Sequence, residues 1–201
     1  MSQILELIQT IDFSAILWIY QHGGNPLLDT LAEALHWIGT FRIPVILLGI
    51  FFWFKKETRP ITFVLFAAVL AGLAATHLIK ELADRPRPFI MLGLTAADML
   101  VPTDPTVSFP SGHATSAFAT AAVVSYYFRK WAVPAFAAAV AAGLARMYLL
   151  VHYPSDVIAG ALVGITVSLA VIWAAEKLQK RKRFAFLRRH AEKTGDASEE
   201  E

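Results

Sequence analysis

The chain has 201 residues, 56% of them hydrophobic and 17% charged, with a formal net charge of +2 and no cysteine. That balance sits on the apolar side of the soluble range, and it excludes a disulfide framework, a thiolate metal site and a cysteine nucleophile; no nucleic-acid partner is expected. Apolar runs recur at 43–54, 61–78, 114–128, 131–144 and 157–175, more than one soluble core of this size could cover, so a lipid bilayer is the expected solvent.

Residues 3–21 read as a retained first helix: Glu6 and Asp12 interrupt it, and it lacks the basic start and small-residue cleavage site of a secretory signal. Asn25 to Gly39 starts with Pro26 and spaces Leu27, Leu28, Leu31, Leu35 and Ile38 as an amphipathic helix lying in the membrane interface. With 41–54, 60–82, 112–128, 131–150 and 155–176, the expectation is an all-α bundle of six transmembrane helices, several shorter than the ~20 residues a bilayer asks for. Residues 1–184 form one membrane domain in this reading, and 185–201 a charged, disordered cytoplasmic tail.

Three segments interrupt the apolar runs with chemistry. In the first, Lys80, Arg85 and Arg87 gather where a helix is stopped by Pro86 and Pro88. Such a cluster calls for an anion, although taken alone it suits lipid headgroups or snorkelling better. In the second, Ser108 to His113 leads into a helix of small residues; Gly112 lets backbone approach a ligand, the free N–H groups suit an anion, and Ser111 adds a hydroxyl. Alone, this segment fits a helix cap followed by a surface histidine equally well. In the third, Arg146 precedes His152 by six residues and Asp156 follows His152 by four, with Pro154 opening the last helix. An aspartate one turn away can hold one imidazole nitrogen and leave the other free to attack; a first-turn acid beside a boundary histidine is an equal alternative for this pair by itself.

Orientation follows from the basic residues. With both termini in the cytoplasm, 13 of the 18 Lys and Arg residues fall inside: Lys55, Lys56, Arg59, Arg129, Lys130 and the eight after Ala175. The three chemical segments then share the extracytoplasmic face.

Lys80 with Arg87-Pro88 after a gap of six, then Pro110-Ser111-Gly112-His113, then Arg146, His152 and Asp156 in order resemble the three-part signature of the type-2 phosphatidic acid phosphatase superfamily. That family holds membrane lipid phosphatases, bacterial undecaprenyl-pyrophosphate phosphatases, glucose-6-phosphatases and soluble vanadium haloperoxidases. One departure is Ala145, where many members carry serine before the arginine. The resemblance implies that His152 attacks phosphorus, Asp156 orients it, and His113 protonates the leaving oxygen and then activates water. Lys80, Arg87, Arg146, Ser111 and the N–H groups near Gly112 would bind the phosphoryl oxygens, with Arg85 as electrostatic support and neither metal nor cofactor required. The implied partners are the bilayer and a lipid phosphate, with undecaprenyl pyrophosphate preferred, since bacteria must dephosphorylate that carrier on the outer face; phosphatidylglycerophosphate, phosphatidate and lipid A compete. His22, His36, His77 and His190 are expected at helix boundaries or in the tail. An ion-coupled transporter would place its charges near mid-membrane, whereas these fall at helix ends. A metalloenzyme would need more ligands than His113, His152 and Asp156 supply.

Overall fold

The structure is a computed structural model that describes residues 2–39, 42–103 and 107–196, so 197–201 of the expected tail lie outside the described residues. Those residues form helices α1 (Ser2–His22), α2 (Pro26–Gly39), α3 (Arg42–Trp53), α4 (Arg59–Ala83), α5 (Pro88–Met91), α6 (Gly112–Tyr127), α7 (Ala132–Tyr148) and α8 (Pro154–Asp196), with two single 3-10 turns and no strand among them. The all-α expectation therefore stands.

The helix limits follow from local chemistry. Pro60 sits in the first turn of α4, where its missing N–H costs nothing, and Asp84 closes the helix in the left-handed region at φ 37°. Pro86 and Pro88 then keep the chain extended until α5. Asn25 caps α2, its Oδ1 accepting from the N–H of Leu27 at 2.9 Å. Ser111 caps α6 in the same way, accepting from the N–H of Ala114.

Helices α4, α6 and α8 form the centre of the bundle. A Cβ at Gly160 would collide with the carbonyl oxygen of Ser111, and one at Gly164 with that of Thr115, so this pair of small residues four apart lets α8 lie directly on the backbone of α6. The main core, built on Phe52, Leu65, Val69, Val123 and Ile172, fills the end of the bundle away from the chemical segments. A smaller cluster of Ala32, Val101, Ala145, Leu149 and Val151 supports the other end. Large apolar side chains such as Leu70, Val133, Leu162 and Trp173 face outward around the bundle, as expected of a surface solvated by lipid.

Among the described residues, three helical stretches are long and apolar enough to cross a membrane: Arg59–Met91, Arg129–Tyr148 and Pro154–Lys180. Counting α2 and the bent-on α3 as one span makes four. The expected six spans are thus not confirmed among the described residues. α3 has 12 residues and α6 has 16, each short of a bilayer. α1 is long enough at 21 residues, but Asp12 near its midpoint, rather than its end, meets the start of α8.

Candidate active site

α4 ends, α6 begins, α7 ends and α8 begins at one end of the bundle, which brings the three sequence segments together. The backbone joins them before any side chain does. The Ser111 N–H donates to the carbonyl of Asp156 at 3.0 Å, that of Phe89 to Leu150 at 3.1 Å, and that of Ser108 to Arg85 at 2.7 Å.

At the centre lies His152, 2% exposed, in the link between α7 and α8. Its Nδ1 faces Oδ2 of Asp156 at 3.6 Å. Asp156 is fully buried, and the same Oδ2 accepts from the Tyr153 N–H at 2.9 Å while Oδ1 accepts from Arg85 at 2.7 Å. A carboxylate fixed on both oxygens presents a fixed face to the imidazole, favouring the tautomer with its proton on Nδ1 and a lone pair on Nε2. Burial pushes the His152 pKa down to about 4, with Arg87 and Arg146 pushing the same way and Asp156 pulling it up. The ring is accordingly neutral at ordinary pH.

Arg87 and Arg146 are 8% and 6% exposed. Arg87 donates to the carbonyl of Val151 at 3.0 Å, which lays its guanidinium beside the residue that precedes His152. His113, in the first turn of α6, lies within electrostatic reach of His152, Arg87 and Arg146. Its Nε2 is buried and has no hydrogen-bond partner among the described residues, and the same is true of Nε of Arg146. Two imidazoles and two guanidiniums thus converge, with Nε2 of His113 and Nε of Arg146 unpartnered among the described residues, an arrangement that suits a tetrahedral anion. Lys80 donates from Nζ to the carbonyl of Val107 at 2.7 Å, which ties it to the loop leading into the Ser111 to His113 segment. Ser111 is fully buried as the cap of α6, and Gly112 is the first residue of that helix.

Two residues here escaped the sequence reading. His36 lies in the last turn of α2, at the helix boundary expected of it, but is 7% exposed; its Nδ1 lies 2.5 Å from a terminal nitrogen of Arg146, and its ring stacks on His113 with centroids 5.9 Å apart. Guanidinium can only donate, so Nδ1 of His36 accepts and its proton sits on Nε2. Nothing in the spacing of α2 could have announced this, because Arg146 is 110 positions away. Asp12 is the second, 2% exposed and bonded to Arg85 at 2.6 Å. Here a signal existed: an acid midway along an apolar helix is too costly to be idle. His22 ends α1, as expected, whereas His77 lies within α4; both are exposed.

Beside the site, a cavity of about 370 Å³ lies between α2, α3, α6 and α7. Leu35, Ser116 and Ala142 line its near end, within about a helical turn of His36, His113 and Arg146, and Val124 and Trp131 its far end.

A family model described as the PAP2 superfamily matches residues 60–180, the stretch that holds all three segments. The chain belongs to the PAP2 superfamily. Among its curated relatives, the bacitracin transport permease protein BcrC of Bacillus licheniformis is 32% identical over 77% of this chain and 73% of its own length. The undecaprenyl-diphosphatase BcrC of Bacillus subtilis is 30% identical over 77% of this chain and 78% of its own. Among solved structures, LpxE of Aquifex aeolicus superposes with a TM-score of 0.66 at 28% identity, covering 84% of this chain and 93% of the other. A PAP2 superfamily chain with these relatives and these outward-facing apolar helices is a membrane protein of lipid-phosphatase type.

Proposed function

We propose that this protein is a metal-independent membrane phosphatase that removes phosphate from a lipid headgroup through a phosphohistidine, with undecaprenyl diphosphate as its substrate. The observation that carries the reading is the placement of His152, backed by Asp156 and fronted by Arg87, Arg146 and His113, next to an apolar cavity between helices.

In this mechanism Nε2 of His152 attacks phosphorus in line; the N–P bond forms as the bond to the leaving oxygen breaks. His113 delivers a proton to that oxygen, which departs as the lipid phosphate. Arg87 and Arg146, with Lys80 at the edge and the N–H groups at the start of α6, hold the three equatorial oxygens as their charge spreads. Water then attacks the phosphohistidine, passing its proton to His113, and inorganic phosphate leaves as His152 is restored. The three cations do what a divalent metal does in other phosphatases, so none is required.

The apolar cavity supports a substrate whose chain enters sideways from the bilayer while its headgroup stays at the site. The relative named undecaprenyl-diphosphatase supports the diphosphate over its competitors, and the clustering of Lys55, Lys56, Arg59, Arg129 and Lys130 away from the site supports an extracytoplasmic site, where that carrier is released. The test is phosphate release by the purified protein from undecaprenyl diphosphate, phosphatidylglycerophosphate, phosphatidate and lipid A in detergent, with and without EDTA. The expected result is release fastest from undecaprenyl diphosphate and unchanged by EDTA; loss of release in EDTA, or none from any of the four, would contradict the reading.

A further inference from the structure

Asp12 stands in a helix whose neighbouring side chains Ile4, Leu5, Ile8 and Ile11 face outward, yet it is itself buried. Its Oδ2 accepts from Arg85 at 2.6 Å and from the hydroxyl of Ser155, and its Oδ1 accepts from the Ser155 N–H at 3.0 Å. Arg85 spans from there to Oδ1 of Asp156 at 2.7 Å and to the Ser155 hydroxyl at 2.8 Å, with its guanidinium 3.9 Å above the Tyr153 ring. The chain of contacts therefore runs from α1 through Arg85 to the carboxylate that faces His152.

A mere attachment of α1 would be served as well by an apolar side chain, because a buried ion pair repays little of what its desolvation costs. The charge count points elsewhere. Arg85 alone would neutralise Asp156, and His152 would then face only the cations Arg87 and Arg146 and the second imidazole, His113. With Asp12 present, the group of Asp12, Arg85 and Asp156 keeps one net negative charge, available to the imidazole as it becomes positive on bonding to phosphorus. Asp12 also fixes the first turn of α8 by taking up the free N–H of Ser155, and Asp156 lies in that turn.

We propose that Asp12 is a positioning residue of the reaction, which keeps Asp156 aimed at His152, and its negative charge from being cancelled, by sharing Arg85 with it. This rests on the phosphatase reading above. Arg85 thereby changes from general electrostatic support to the link between the two carboxylates.

The experiment compares the full-length parent with Asp12→Asn, Arg85→Gln and the double variant, using phosphate release from undecaprenyl diphosphate in detergent, or from dioleoyl phosphatidate where the parent turns over only that. Asp12→Asn keeps the shape and removes the charge. Its kcat is expected to fall about tenfold, the scale on which outer partners of a reacting group act, with KM within about twofold of the parent. The acid limb of its pH profile should move to lower pH, since Arg85 then bears undivided on Asp156, and this shift should vanish when Arg85 is already glutamine. A variant with parental kcat and limb, or one that loses kcat only in proportion to folded protein with the limb unmoved, would overturn the proposal. If Asp12→Asn does not accumulate, Ser155→Ala cuts the hydroxyl between Asp12 and Arg85 without removing a charge; a reduced kcat at unchanged KM supports the proposal and a parental kcat overturns it. A parent inactive on every lipid phosphate defeats the phosphatase reading and this proposal with it, whereas an active parent with an indifferent Asp12 defeats this proposal alone.

Discussion

His36 accepts a hydrogen bond from Arg146, joining the last turn of α2 to the last turn of α7 at the mouth of the site. Arg146 has no carboxylate partner among the described ion pairs, so this neutral acceptor steers the guanidinium without cancelling the charge a phosphate would need.

His36→Ala is therefore expected to lower kcat/KM about tenfold, the worth of one hydrogen bond to a charged group. His36→Gln, which offers an amide oxygen in place of Nδ1, should recover part of the loss. Steady-state kinetics of the two variants on the same lipid check this; equal damage in both would mean that ring stacking on His113 matters more than the bond.

His113→Ala should slow a substrate with a lipid alkoxide leaving group far more than a diphosphate, whose phosphate leaving group needs less help from a proton. The comparison is single-turnover cleavage of phosphatidate and undecaprenyl diphosphate by parent and variant. Equal losses on both would make His113 a binding residue.

The buried, neutral state of His152 predicts how stability follows pH. Its folded pKa of about 4 lies below the ordinary 6.5, so between those values the unfolded chain binds more protons and stability rises with pH. The contribution is complete above 6.5 and is lost as pH falls towards 4. Thermal midpoints in detergent across that window should drop on acidification, and the drop should be shallower in His152→Asn. An equally steep drop in the variant would assign the effect to another group.

Sidedness can be read with two cysteines, since the chain has none of its own. Ala97, exposed in the loop at the site end, and Lys56, in the turn between α3 and α4 at the other end, lie on opposite faces in the proposed topology. A membrane-impermeant thiol reagent should label Ala97→Cys in intact cells and Lys56→Cys only after permeabilisation. The reverse pattern would invert the topology and remove the main support for an extracytoplasmic substrate.

What the sequence revealed and what it hid divide along physical lines. Lys80, Arg87, Ser111, His113, Arg146, His152 and Asp156 were legible because short-range spacing and helix punctuation by Pro86, Pro88, Pro110 and Pro154 put each at a helix end, and helix ends that alternate in direction must share a face. His36 was not, and Asp12 carried only the signal of an acid within an apolar helix, because their partners are set by how α2 and α1 pack, and helix packing leaves no periodic mark on polar positions. The span count is not confirmed for a related reason: hydropathy locates an apolar run but says little about its tilt or depth, and α3 and α6 are short while α1 meets the site at its middle.

The account stands or falls on the nucleophile. Rapid quench of the parent with undecaprenyl diphosphate labelled in its terminal phosphate, followed by peptide mapping, tests it directly. The predicted result is a transient phosphoprotein, labile in acid and stable in base, carried on His152 and absent from His152→Ala, which should still insert and fold but not turn over. Label on another residue, or full activity in His152→Ala, would contradict it.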